Sequence, residues 1–144
     1  IIKYFYTNQK LIVRNLRAVR PWQHVIQASY GYLLVAENVF KNPNLSDAYN
    51  IGPFGKKHKV EEILRLFFRL KNLKLKNFNR KYDSFKEARI LFIDSSKAQK
   101  KLKYKQIISF KESLDLTFNW YEGYFKKKSI KSLIQNDLKK YFRF

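Results

Sequence analysis

With 144 residues the chain has room for one domain around a single core and too little for two well-buried ones. Hydrophobic residues at 45% and aromatics at 17% exclude an intrinsically disordered chain, no apolar run reaches the roughly 18 residues of a membrane span, and the absence of cysteine excludes disulfides, thiolate nucleophiles and cysteine-ligated metals. The net charge of +20, from 31 Lys+Arg against 11 Asp+Glu, would ordinarily point to nucleic acid or an anionic membrane surface.

Taken in chain order, 1–7 reads as the tail of a helix and Leu11-Ile12-Val13 as a short strand. The stretch 14–21 is polar and irregular. From Val25 to Phe40, Ile26, Tyr30, Leu33, Leu34 and Val39 form a helical stripe that Asn42-Pro43-Asn44 ends. Ala48 to Ile51 reads as a strand closed by Gly52-Pro53. Val60 to Leu70 is a second helix whose buried side is Ile63, Leu64, Phe67 and Phe68. Ile90 to Ile93 reads as a buried strand, with Asp94 or Ser95 capping the helix that follows through a side-chain oxygen. Helices over 112–125 and 129–141 complete a small α/β domain, rich in helix with short strands and without repeats or a linker.

The basic excess is spread along the chain: +4 over 1–50 (6 basic, 2 acidic), +9 over 51–100 (14 and 5) and +7 over 101–144 (11 and 4). It is mostly Lys, alongside many Asn, Ile, Phe and Tyr, as drift toward A- and T-rich codons produces. Runs such as Lys126-Lys127-Lys128 are read as solvated helix faces. No compact set of stacking aromatics beside a cationic groove is visible, so no specific nucleic acid is expected, and a basic nucleic-acid-binding module stays as an alternative. With His24 and His58 as the two histidines and no HxxxH or HxH spacing, a zinc or di-iron site is not expected. The N-terminus lacks the features of a signal peptide, which sets the expectation of a cytoplasmic chain without a membrane partner. Because residue 1 is Ile1 and methionine is absent, the chain reads as a fragment.

Arg20-Pro21-Trp22-Gln23-His24-Val25 followed by Gly31-Tyr32-Leu33-Leu34-Val35-Ala36-Glu37 resembles a segment of the CDP-glucose 4,6-dehydratases, extended-type members of the short-chain dehydrogenase/reductase superfamily. Other elements keep the family's order: Arg14-Asn15, Ala48-Tyr49-Asn50-Ile51-Gly52-Pro53, Glu87-Ala88, Leu91-Phe92-Ile93-Asp94 with Ser96-Lys97-Ala98, and Thr117-Phe118-Asn119-Trp120-Tyr121. The resemblance implies that residues 1–144 are the C-terminal, nucleotide-sugar-binding part of a Rossmann-type NAD-dependent lyase of deoxysugar biosynthesis. Its dinucleotide-binding domain would then be absent. Such enzymes oxidise the sugar at C4 with bound NAD, eliminate water across C5 and C6, and return the hydride to C6; the full-length protein would be able to form a homo-oligomer.

The site residues follow from the same resemblance. Arg20 matches an arginine on the substrate pyrophosphate, a role suited to a planar, permanently charged fork, and Pro21 would hold its backbone extended. Asn50 would contact the same region, Leu11, Ile12 and Val13 would run beside the base, Arg14 would lie near the base or ribose, and Glu87 would face the substrate. Arg14, Arg20 and Asn50 are therefore expected on one concave face. The alternatives are a surface arginine pairing with a loop carbonyl for Arg20 and a turn-capping asparagine for Asn50. Trp22 is read as a packing anchor and His24 as a hydrogen-bonded structural group. No catalytic residue is expected here: the Tyr-x-x-x-Lys matches Tyr6–Lys10, Tyr82–Lys86 and Tyr124–Lys128 are what 10 Tyr among many Lys produce by chance, and the glycine fingerprint for NAD is missing. The cofactor would sit on the absent domain, leaving this chain inactive alone. Asn15-Leu16 and Phe85-Lys86 depart from the family's Asn-Pro and Pro-His, which keeps another nucleotide-sugar dehydratase or epimerase as an alternative to CDP-glucose.

Overall fold

The computed structural model describes residues 1–7, 11–70, 79–80 and 88–142. Among the described residues, six α-helices are joined by short strands: α1 (Ile2–Thr7), β1 (Ile12–Val13), β2 (Val19–Arg20), α2 (Val25–Lys41), β3 (His58–Lys59), α3 (Val60–Leu70), β4 (Asn79–Arg80), α4 (Ser96–Leu102), α5 (Phe110–Phe125) and α6 (Ile130–Phe142), with a 3-10 turn at Pro43–Leu45. β1 pairs in parallel with β4 (Ile12 with Asn79, Val13 with Arg80), and β2 pairs antiparallel with β3 (Val19 with Lys59, Arg20 with His58). The expected helix-rich α/β domain with short strands is what forms.

Local chemistry sets the helix ends. His24 caps α2 by accepting the Ile26 amide at Nδ1 (3.3 Å), and Asn42 closes it with its amide on the Asn38 carbonyl (2.9 Å). Ser109 and Glu112 form a reciprocal capping box at the start of α5, satisfying two otherwise orphaned amides. At the other end of α5, Lys127 takes a left-handed conformation (φ 57°), and the amides of Lys127 and Lys128 return to the carbonyls of Tyr124 and Gly123. This Schellman turn reverses the chain so that α6 packs back on α5. Gly123 lies beneath Leu133 at that contact, where a Cβ would overlap the leucine side chain.

Among the described residues the core has three parts. Leu11, Val13, Leu64, Phe67, Phe68 and Phe118 form one, joining β1, α3 and α5. The α3 residues in it were legible from their spacing, and burying each contributes about 1.5–3 kcal/mol. Ala98, Leu102 and Tyr104 form the second under α2, and Ile108, Leu116 and Tyr141 the third.

Four local expectations are corrected. Ala48 to Ile51 is not a strand: Ile51 packs into α2 at Gly31, and among the described residues no strand pairs with the segment. Ile90, Leu91 and Phe92 are exposed, and their stretch makes a single parallel bridge, Ile90 to Val19, where a buried strand was expected. β2 falls inside the stretch read as irregular. On α2 the buried positions are Gln27 and Gly31, while Leu33 faces outward. Periodicity finds an apolar run but not the layer that covers it. At α4, Asp94 supplies the cap, accepting the Ser96 amide (2.9 Å), while the Ser95 hydroxyl donates to the Gly52 carbonyl (3.4 Å).

Candidate functional site

The β2–β3 pairing places Arg20 opposite His58. Trp22, two residues on, donates its indole N–H to the His58 carbonyl (3.2 Å). The His58 ring lies flat on Phe110 (centroids 3.7 Å apart, planes within 6°), and its Nδ1 is 3.0 Å from Glu62, which also receives Lys56 (3.3 Å). The His58 hydrogen bond, then Lys56, holds the Glu62 carboxyl below its ordinary value.

Around this pair is a notch lined by Arg20, Trp22, Phe54, Lys56, Lys57, His58, Phe92 and Phe110 among others. Its volume of about 20 Å³ fits a water, against roughly 300–1,000 Å³ for a cofactor-sized pocket. Lys57 Nζ stands 4.3 Å over the Phe92 ring. Cations and aromatic faces are thus interleaved in a compact patch. Sequence reasoning missed it because Lys56, Lys57 and Phe92 are far from Arg20 in the chain: the β2–β3 register brings up the two lysines and the Val19–Ile90 bridge brings up Phe92.

Trp22 and Phe110 also wall a second, larger cleft of about 500 Å³ between α1, the turn before α2, α3 and α5. Ile2, Ile63, Phe67, Leu114 and Phe125 make it apolar, and Gln23, His24, Ser113 and Thr117 supply polar groups. Gln23 donates Nε2 to the Ile51 carbonyl (3.3 Å), and its buried Oε1 has no hydrogen-bond partner among the described residues. His24 is buried, as expected of a structural group: burial lowers its pKa and raises that of Asp137, whose Oδ2 is 4.0 Å from His24 Nε2.

Of the residues expected at the site, Arg20 lines the notch, and its Nη1 donates to the carbonyls of Val19 (2.8 Å) and Ala88 (3.0 Å). Arg14 is exposed after β1, and Asn50 is exposed in the segment that Gln23 ties down at Ile51. Neither lines the notch or the cleft. Leu11 and Val13 point into the core and Ile12 outward. Glu87 lies outside the described residues, as do Lys10 of the first Tyr-x-x-x-Lys match and all of the second. In the third, α5 ends at Phe125, so Tyr124 and Lys128 do not share a helix.

Gly31 faces Ile51, Gly52 faces Ile93 and Gly123 faces Leu133, while Gly55 stands alone at φ +75°. No run of glycine amides is assembled, so these residues do not fit a dinucleotide pyrophosphate. Among the described residues, no group of three or more His, Asp or Glu could hold a metal ion, and no helix is long and apolar enough to cross a membrane.

No family model matches the chain. It is 28% identical over 132 residues to the CDP-glucose 4,6-dehydratase of Salmonella typhimurium, covering 88% of this chain and 36% of that protein, so it spans little more than a third of this relative's length. Its fold is similar to part of RMD from Pseudomonas aeruginosa, solved with NADPH (TM-score 0.62, 18% identity, 82% of this chain and 38% of that one). It is similar also to part of the Bordetella bronchiseptica enzyme WbmG, solved with NAD and UDP (TM-score 0.56, 17% identity, 90% and 41%). The sequence likeness is thus to a part of one CDP-glucose 4,6-dehydratase, and the two solved structures share the fold.

Proposed function

We propose that this chain is the C-terminal, nucleotide-sugar-binding part of an NAD-dependent CDP-glucose 4,6-dehydratase. The observation that carries the reading is the 28% identity over 88% of the chain, beside the resemblance carried by the motif string around Arg20. Lys56 and Lys57 beside Arg20 supply the positive charge a pyrophosphate requires, and the cleft sharing Trp22 and Phe110 gives an apolar wall for the base or sugar. The notch is too small to enclose two phosphates, so they would lie across it, with Arg20 exchanging a carbonyl for a phosphate oxygen. Asn50, Arg14, Glu87 and the β1 backbone remain proposed contacts to the rest of the nucleotide. NAD would be held by residues outside this chain, so the chain alone would not turn over substrate. The UDP bound to WbmG makes a uridine nucleotide the first competitor to a cytidine one.

The test joins the chain to a matching dinucleotide-binding domain and measures turnover and binding of CDP-glucose, UDP-glucose, dTDP-glucose and GDP-mannose. Arg20→Ala should weaken binding roughly ten- to hundredfold, the equivalent of one charge-assisted contact of about 1.5–3 kcal/mol. Arg20→Lys should recover only part, because an ammonium lacks the fork. Unchanged binding of every nucleotide sugar in Arg20→Ala would remove that arginine from the site; turnover of a different sugar nucleotide alone would correct the substrate and keep the enzyme class.

The same cationic and aromatic patch favours a second reading, single-stranded nucleic acid stacked on Trp22 and Phe92. It predicts binding of an oligonucleotide at physiological salt that Trp22→Ala weakens. On the first reading, oligonucleotide binding is weak, sequence-independent and lost steeply with salt.

A further inference from the structure

Glu62 fixes which nitrogen of His58 carries the proton. An ionised carboxylate only accepts hydrogen bonds, and the bonds from His58 and then Lys56 hold the Glu62 carboxyl below its ordinary value. The ring nitrogen facing it at 3.0 Å, Nδ1, therefore carries a proton in every charge state of the imidazole. The flat stack on Phe110 sets the plane of the ring. That leaves Nε2, which makes no hydrogen bond among the described residues and is not sealed from solvent, on a side chain that lines the notch opposite Arg20. In the neutral ring Nε2 is a lone pair that repels a phosphate oxygen. In the imidazolium it is an N–H that donates to one.

We infer that His58 anchors the substrate diphosphate beside Arg20 only as the imidazolium, with Glu62 as the positioning residue that imposes this restriction, so that the site takes up a proton when it binds. The inference rests on the nucleotide-sugar reading of the notch. Among the described residues, the charged groups around the ring are Glu62 from α3, Lys56 and Lys57 from the segment before β3, and Arg20 from β2, while α5 adds the uncharged Phe110. A diphosphate diester brings two negative charges to this group and keeps both through the range in which histidines charge. Its bound form stabilises the imidazolium, and by linkage affinity rises as pH falls. Lysine and arginine side chains stay charged over that range and add affinity without pH dependence.

Binding of CDP-glucose and UDP-glucose to the chain joined to a dinucleotide-binding domain should be roughly tenfold tighter at about pH 5.5 than at about pH 8. Titration calorimetry in two buffers should show uptake of up to about one proton between those limits. His58→Gln should abolish both the pH dependence and the uptake. Glu62→Gln should instead raise affinity at about pH 8, because a glutamine amide can donate to Nδ1 and the neutral ring then carries its proton on Nε2. In the chain alone, nitrogen NMR of the imidazoles should show neutral His58 as the Nδ1–H tautomer, with His24, which accepts at Nδ1, as the internal reference for the opposite one. An Nε2–H tautomer for neutral His58, affinity that ignores pH, a pH dependence that survives His58→Gln, or a Glu62→Gln variant weakened alike at both pH values would overturn the inference and leave the nucleotide-sugar reading standing. Absence of sugar-nucleotide binding at both pH values would overturn that reading and the inference with it.

Discussion

Gln27 is 1% exposed and would be costly to bury alone, yet all of its hydrogen-bonding groups are used. Its Nε2 donates to the Tyr104 hydroxyl (3.0 Å) and the Lys105 carbonyl (2.9 Å), while its Oε1 accepts from the Tyr141 hydroxyl (2.8 Å) and the Ile107 amide (3.2 Å). One amide thus ties α2 to α6 and to the loop before α5. Burial, reinforced by Tyr104 and Tyr30, keeps the Tyr141 phenol protonated and able to donate. Tyr141→Phe should therefore lower stability by about 1 kcal/mol, and Gln27→Ala, which orphans several buried groups, by about 2–4 kcal/mol; urea denaturation measures both. His24 predicts a pH dependence. Its folded pKa lies below the ordinary 6.5, so as pH falls through 6.5 the unfolded chain takes up a proton that the buried ring refuses, and stability falls. Asp137, raised above 3.8 by burial, has the opposite sign: its contribution is present below 3.8 and is lost as pH rises through its folded pKa. His24→Asn keeps a capping acceptor and removes the titration, so its urea midpoint should stay flatter than the parent's from pH 7 down to about 5.

At the scale of elements, the turn between α5 and α6 carries a non-glycine residue where glycine is usual. Lys127 sits at φ 57°, and no side-chain role requires lysine there. Lys127→Gly should stabilise the hairpin by roughly 0.5–1 kcal/mol, raising the thermal midpoint, because the left-handed conformation costs glycine less than any residue with a Cβ. Lys127→Ala should not stabilise. The contrast between α3 and α2 shows how far helix patterns can be read. In α3 the residues Ile63, Leu64, Phe67 and Phe68 form one narrow apolar stripe between charged positions, so both the helix and its buried side were evident. In α2 apolar residues surround the axis, and spacing alone could not say that Gln27 and Gly31 point inward while Leu33 points out.

For the whole molecule, the net charge of +20 is the dominant long-range term. Pairs such as Lys126–Glu122 and Lys97–Asp47 are exposed and screened by solvent, so each contributes little. Self-repulsion of the remaining lysines outweighs them, so raising NaCl from low to about 0.5 M should increase the melting temperature by several degrees as the repulsion is screened. A melting temperature that falls with salt would mean that the ion pairs outweigh the repulsion. The sequence by itself determined that the chain is a helix-rich α/β unit, where most of its helices lie, and which dehydratase-like motifs it carries, because helix periodicity, capping residues and motif order are local properties of the chain. Tertiary structure alone decided that 48–51 stays irregular, that Ile90, Leu91 and Phe92 are exposed, and that Lys56, Lys57 and Phe92 gather around Arg20. These outcomes depend on which segments pair across tens of residues and on what each apolar surface finds to cover it, and no local pattern encodes either.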